Sequence, residues 1–294
     1  MGTRHASESQ GFVTAPDGVR LGYRLWRADK VRPLIVLVHG LASNLTRWSE
    51  FVDKTALKGD WDILRLDLRG HASSMSRGRI GHASWCADLR MILDSEGYDA
   101  VVLVGHSLGA QVALHFAARY PESVRALVLI DPVFPQALRG TLRRARRWRP
   151  LIAAAIPIIR VFNWLGLKRR KFPVRDLRVL DQRTRAILAE NPNAKLAELY
   201  MAPGEDLKYL PLANYLQDLN AVVSPLPALR MITQPVLVLL SASTAVSATV
   251  QMQAQIAQFP HSETAMIHAD HWPLTERPDE VRQAIEDWLI GKIG

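Results

Sequence analysis

The stretch Ala100–Pro121, AVVLVGHSLGAQVALHFAARYP, decides how the rest of the chain is read. Its opening AVVLV is continuously apolar, the pattern of a strand buried on both faces of a parallel sheet. From Leu108 the residues suit a helix, rich in alanine and ending before Pro121. Between the two lies Gly105-His106-Ser107-Leu108-Gly109, a G-x-S-x-G pattern. Such a pattern is a weak signal by itself, but a buried strand before it and a helix after it are the setting of a nucleophile elbow. A tight strand-to-helix turn puts the serine in a strained backbone, and small flanking residues relieve contact with neighbouring chains. The helix N-terminus then aims N–H groups and its positive end at a developing oxyanion. Ser107 is the candidate nucleophile; the competing reading is a serine N-cap at an ordinary strand–helix junction.

The pattern repeats on either side. Leu34–Val38, LIVLV, is a second buried strand, closed by His39-Gly40-Leu41. The backbone N–H of Leu41 can pair with that of Leu108 to make a two-donor oxyanion hole. Strands are expected at Gly11–Val13 and Val19–Trp26 around a Pro16-Asp17-Gly18 turn, then at Trp61–Leu66 and Val124–Ile130. Helical spacing covers Asn44–Leu57 and Trp85–Leu93. The rhythm fails between Pro132 and Met231, where basic clusters, prolines and three plausible helices stand without a buried strand. It resumes with a strand at Pro235–Leu240, a helix at Val250–Gln258, a strand at Thr264–His268 and a closing helix at Glu280–Ile290. The fold class is α/β, a doubly wound and mostly parallel sheet. Residues 1–131 and 232–294 form its core, and 132–231 a basic, mainly helical cap.

These motifs together resemble the α/β-hydrolase superfamily: His-Gly after the third strand and G-H-S-x-G after the fifth. Asp67-Leu68-Arg69-Gly70-His71-Ala72-Ser73-Ser74 is similar to the family's D-x-R-G-x-G-x-S loop, with Ala72 where glycine is usual. His271-Trp272-Pro273 resembles its late histidine loop. The resemblance covers roughly two thirds of the chain, and it implies Ser107 as nucleophile, His271 as general base, and the Leu41 and Leu108 N–H groups as oxyanion donors. It implies no cofactor. Eight other histidines compete with His271, but the triad order of the fold puts the base last. The carboxylate is where the pattern breaks. The family usually places it after the strand Pro235–Leu240, yet 241–247 reads SASTAVS, without Asp or Glu, and Thr244 stands about where the acid is expected. Three readings stay open: Asp131 at the end of the preceding strand as the acid, a Ser–His dyad, or a degenerate site that binds without turnover. Ser107 also stands where epoxide hydrolases and haloalkane dehalogenases of this fold resemble one another in using Asp.

Composition bounds the remainder. The 294 residues are 48% hydrophobic, enough for a full core. One cysteine, Cys86, excludes an internal disulfide and a cysteine-based metal cluster, and reads as a buried helical residue. No apolar run reaches the about eighteen residues of a spanning helix. The formal charge of +9 is concentrated: 139–185 holds fifteen Arg or Lys and two Asp, a local balance of +13. Within it, Leu151–Leu167, LIAAAIPIIRVFNWLGL, is apolar, interrupted by Pro157 and flanked by Arg143–Arg149 and Lys168–Lys171. Such a segment suits an apolar tunnel above the serine and peripheral contact with an anionic membrane; the alternative is a solvated cap helix packed on the core. No nucleic-acid recognition motif accompanies the charge. The expected protein is a cofactor-free serine esterase acting on a small, apolar ester, cytoplasmic with peripheral membrane contact through the basic cap as the alternative to a fully dissolved state. The rival functions are an acyltransferase or cofactor-free lyase on the same elbow, and a binding scaffold.

Overall fold

The computed structural model describes residues 7–28, 30, 32–191, 203–242, 249–269 and 272–293. Eight strands form one sheet in the order β1-β2-β4-β3-β5-β6-β7-β8. They are β1 (Ser7–Thr14), β2 (Arg20–Arg27), β3 (Leu34–Val38), β4 (Asp62–Leu66), β5 (Val101–His106), β6 (Val124–Ile130), β7 (Val236–Ser241) and β8 (Ser262–Ile267). β1 and β2 are antiparallel, β2 meets β4 antiparallel, and every later pairing is parallel. The doubly wound, mostly parallel α/β sheet expected from the aliphatic runs is therefore present.

The runs read as strands because both faces of the sheet are covered. Val36, Leu103, Leu127 and Val238 point to one face and pack with Trp85, Val112 and Phe116. Ile35, Val102, Val128 and Leu237 point to the other and pack with Trp48, Phe51 and Val281. Helices α2 (His82–Glu96) and α3 (Leu108–Arg119) cover the first face. Helix α1 (Ser49–Lys54) and the closing helix, Pro278–Lys292, cover the second. Burying each such side chain is worth about 1.5–3 kcal/mol, so two covered faces favour aliphatic residues at both alternating sets of positions.

Two expectations need correction. Asn44–Leu57 is not one helix but a 3-10 turn, α1 and a second 3-10 turn. The Asn44 side chain accepts from the Thr46 N–H at 2.9 Å, and the Thr55 hydroxyl accepts from the Leu57 N–H at 3.2 Å, so each side chain restarts the chain with a local cap. Pro157, read as an interruption, sits inside a continuous helix. The carbonyl of Ala153 that loses its partner belongs to an exposed residue and can be satisfied by water.

Between β6 and β7 the described residues form helices and no strand: α4 (Gly140–Arg147), α5 (Arg149–Trp164), α6 (Leu177–Glu190) and α7 (Leu212–Val222), with a single turn at Pro203–Asp206. Buried polar contacts anchor this insertion to α3 and to the loop after β4. Gln111 in α3 donates to the Val133 and Val222 carbonyls at 2.6 and 2.9 Å, and Asn214 donates to the Gly70 and Ser76 carbonyls at 2.9 and 2.7 Å. His71 Nε2 lies 2.9 Å from Asp218, with both side chains buried. Burial pulls the His71 ring down, but the Asp218 carboxylate outweighs it and holds the pKa above the ordinary histidine value. Among the described residues, no helix is long and apolar enough to cross a membrane.

Candidate active site at the carboxyl edge of the sheet

The carboxyl ends of β3, β5, β6 and β7 lie side by side, the edge where open α/β sheets bind ligands. Ser107 follows β5 with φ 54° and ψ −114°, a conformation an ordinary N-cap serine does not adopt. Its own N–H donates to the Ile130 carbonyl of β6 at 2.9 Å, which pins the turn to the neighbouring strand. The flanking glycines are needed because backbones meet here. A Cβ on Gly109 would lie 2.2 Å from the Val38 carbonyl oxygen, and one on Gly105 would lie 2.4 Å from the Gly109 backbone. α3 is thereby drawn against the ends of β3 and β5.

Ser107 opens into a cavity of about 380 Å³ whose floor includes Gly40, Leu41 and His106. Its walls come largely from the insertion: Leu142 and Ala145 of α4, Leu177 of α6, and Leu219 and Val222 of α7. Leu41 thus borders the cavity, and Leu108 begins α3 directly after the serine. His106, itself buried, also lines the cavity.

The Leu41 turn is held from below. His39 Nε2 accepts from the Leu68 N–H at 3.0 Å, which leaves the proton on Nδ1 to donate to the Gly40 carbonyl at 2.8 Å. Complete burial holds the His39 pKa well below the usual imidazole value, and the neighbouring His71 ring adds to this. Asp67 accepts from the Leu45 N–H at 2.7 Å and from the Ser73 N–H at 3.0 Å, tying the loop after β3 to the loop after β4. Ala72, where glycine is usual, has φ 33°. The DLRGHASS stretch therefore works as a brace for the loop after β3 that carries Leu41.

Asp131 ends β6 opposite Ser107, with φ 42° and its side chain buried. Its carboxylate accepts from the Ser241 N–H at 2.7 Å and from the Ser241 hydroxyl. Ser241 ends β7, so the neighbouring strand orients the carboxylate that follows β6. No sequence signal marks Ser241 as the partner of Asp131. His271 lies outside the described residues, as does Thr244; the residue after His271, Trp272, lines the cavity. Arg175 and Asp206, both from the insertion, also line it and stand 3.6 Å apart. Burial pushes the Asp206 carboxyl up to about 6, with Arg175 opposing. No motif marks either residue. Among the described residues, no group of three His, Cys, Asp or Glu side chains is placed to hold a metal ion.

Known proteins share this architecture. Residues 33–278 match the family model described as the α/β hydrolase fold. A Xenopus tropicalis protein named epoxide hydrolase 3 is 25% identical over 98% of this chain and 79% of its own length. The mouse sn-1-specific diacylglycerol lipase ABHD11 is 31% identical over 38% of this chain and 36% of its own. Among solved structures, a hydrolase from Pseudomonas aeruginosa superposes with a TM-score of 0.70 at 22% identity, covering 95% of this chain and 98% of that one. A thermophilic esterase from Thermogutta terrifontis gives 0.65 at 22% identity, over 96% and 98%. A serine on a strained turn at the sheet edge, the braced turn facing it and a model match over most of the chain lead to one conclusion: this chain belongs to the α/β-hydrolase family.

Proposed function

We propose that the chain hydrolyses carboxylic esters bearing an apolar acyl group, through an acyl-enzyme on Ser107. The observation that carries this reading is Ser107 itself, held at φ 54° after β5 and facing a cavity beside Leu41 that Leu142, Leu177, Leu219 and Val222 line on the insertion side. In the proposed reaction, His271 takes the Ser107 proton as the hydroxyl oxygen adds to the ester carbonyl. The N–H groups of Leu41 and Leu108 bind the resulting oxyanion. Collapse breaks the bond to the alkoxide, which leaves with the proton from His271. Water then adds to the acyl-serine with the same ring as base, releasing the acid and restoring the hydroxyl. Asp131, oriented by Ser241, is the proposed partner of the His271 imidazolium. Domain roles follow: 1–131 and 232–294 carry the catalytic groups, and 132–231 is the cap that shapes the acyl pocket.

Epoxide opening fits the elbow poorly. A serine oxygen that opened an epoxide would form an ether, and an ether has no carbonyl to which water can add. An acyl carbon is the electrophile that lets a serine turn over.

Labelling by a fluorophosphonate tests the nucleophile. The wild type should label and Ser107→Ala should not, while Asp131→Asn should slow labelling by about 10³- to 10⁴-fold if it orients the base. Folded wild type that fails to label would overturn the serine hydrolase, and unchanged labelling in Asp131→Asn would remove Asp131 from the triad. With p-nitrophenyl esters, kcat/KM should rise by up to about fourfold per added methylene until the cavity is filled. A strict preference for acetate would overturn the apolar-acyl assignment.

A further inference from the structure

Helix α5 is largely apolar, with Arg149, Arg160 and Asn163 its polar residues, a composition that suits an interior. Only one side is covered. Ile152, Ile156 and Ile159 are half-buried toward α7, against which the helix packs. On the outer side Leu151, Ile158, Val161, Phe162 and Leu165 follow the helical repeat and stand in solvent, and Trp164 is 82% exposed. Trp148 and Leu167 extend the same exposed surface beyond its two ends. Scattered surface hydrophobics are ordinary, but a contiguous row of this kind marks an interaction site.

What meets it is indicated by the charge around it. The residues flanking the apolar row are basic and exposed: Arg143, Arg144 and Arg147 on α4 before it, and Lys168, Arg169, Arg170 and Lys171 after it. From Gly140 to Val174 there is no Asp or Glu. At the carboxyl end of α5 a separate cavity of about 280 Å³ has Ile159, Leu207 and Leu212 in its walls and Arg77, Lys168 and Arg169 around it. Phe172 sits there with the Arg77 and Arg169 guanidinium groups over its ring, at 5.6 and 5.2 Å. An apolar hollow ringed by cations accepts an amphiphile with an anionic head. The helix has 16 residues, about 24 Å, too short for the roughly 30 Å hydrocarbon layer, so it suits lying in an interface rather than crossing it.

We propose that α5, with its basic flanks, is a docking surface for an anionic phospholipid bilayer. Leu151, Ile158, Phe162 and Trp164 enter the acyl boundary, while the arginines and lysines at both ends lie at the depth of the headgroup phosphates. The hollow beside Phe172 takes one headgroup. α4 connects this surface to the catalytic cavity, since Leu142 and Ala145 line that cavity while Arg143, Arg144 and Arg147 are exposed. A lipid-facing surface so placed would bring apolar esters to the pocket mouth without a passage through water.

Vesicle flotation with the full chain tests the surface. Wild type should float with vesicles of phosphatidylcholine containing phosphatidylglycerol, should float at least about tenfold less with phosphatidylcholine alone, and should be released by high salt. Phe162→Ser combined with Trp164→Ser, and separately Arg169→Glu combined with Arg170→Glu, should each lower the bound fraction at least about tenfold, with thermal unfolding checked to show that the variants fold. Ser107→Ala should float like the wild type, which separates this assignment from the proposed reaction. No flotation of wild type, or flotation indifferent to both paired substitutions, would overturn the proposal. So would a concentration-dependent dimer by sedimentation that Phe162→Ser and Trp164→Ser abolish, because the face would then serve a second copy of the chain.

Discussion

Arg69 and Trp164 each occupy the medium their chemistry avoids. Arg69 is a guanidinium only 6% exposed in the core, and Trp164 is an indole 82% exposed on the insertion. Around the sheet edge the exception recurs with other charged or titratable side chains, as Asp67, Asp88, Arg65 and His39 are all buried. Around α5 it recurs with apolar ones. The two regions resolve their exceptions differently. Each buried charge of the core has a partner within the chain: Arg69 meets Asp88 through two bonds of 2.8 and 2.6 Å and also reaches Asp17. The exposed row on α5 has no comparable cover among the described residues. Internal pairing fixes the loops that carry a site, whereas an uncovered apolar row calls for something outside the chain.

The largest effect should come from breaking that internal pairing. Asp88→Ala leaves the Arg69 guanidinium buried with Asp17 as its remaining carboxylate, and a buried charge stripped of its main partner costs about 3–5 kcal/mol. Urea unfolding should show that loss. Hydrolysis should fall with it, because Arg69 lies in the loop that braces the Leu41 turn. A loss below about 1 kcal/mol would mean that water already reaches Arg69, and the contrast with the insertion would weaken.

Asp206 belongs to the insertion yet behaves like a core residue, and so it sharpens the comparison. Its carboxyl titrates at about 6 because burial opposes the charge, with Arg175 offsetting part of the penalty. The folded pKa lies above the unfolded value near 3.8, so the folded state holds the proton more tightly. The resulting stability is fully present below about pH 4 and is lost as the pH rises through about 6. Asp206→Asn, which carries no charge to desolvate, should remove that slope. It should leave the variant about 2–3 kcal/mol more stable than wild type near pH 7, relative to their difference near pH 4. Parallel stability curves between those pH values would place Asp206 in contact with water.

Ala72 tests the brace more gently. Its φ of 33° lies in the left-handed region, where an L side chain is disfavoured by about 1 kcal/mol and glycine is not. Ala72→Gly should therefore raise stability by up to about 1 kcal/mol in urea, less whatever glycine adds to the entropy of the unfolded chain. Destabilisation would show that the Ala72 methyl packs to more purpose than its backbone strains.

These residues also show what could be read before the structure. Strands covered on both faces must be aliphatic throughout, so LIVLV and VVLVG announced β3 and β5, and the elbow between β5 and α3 came with its own glycines. The DLRGHASS motif was visible, but its action through Asp67 and Arg69 on a neighbouring loop was not, because those partners are set by tertiary proximity. Asp131 was legible as a candidate and Ser241 was not, since a serine beside a strand carries no periodic signal. The insertion gave up least. Its helices lean on residues far away in sequence, as Asn214 does on Gly70 and Asp218 on His71. The cavity residues Arg175 and Asp206 converge only once those helices are placed.

The smallest effect should come from α5, and its smallness is the point. Truncating a leucine in a packed core costs about 2–5 kcal/mol, from lost transfer free energy and from the void left behind. Leu151 is 60% exposed on the outer side of α5, so Leu151→Ala removes atoms that water already touches, and alanine is at least as good a helix former. Urea unfolding of the isolated protein should move by less than about 0.5 kcal/mol in either direction. A loss of core size would mean that Leu151 is covered in the isolated protein by another part of the chain or by a second copy. A negligible loss together with weaker flotation on anionic vesicles would show that this leucine contributes nothing to holding the fold and something to holding a surface.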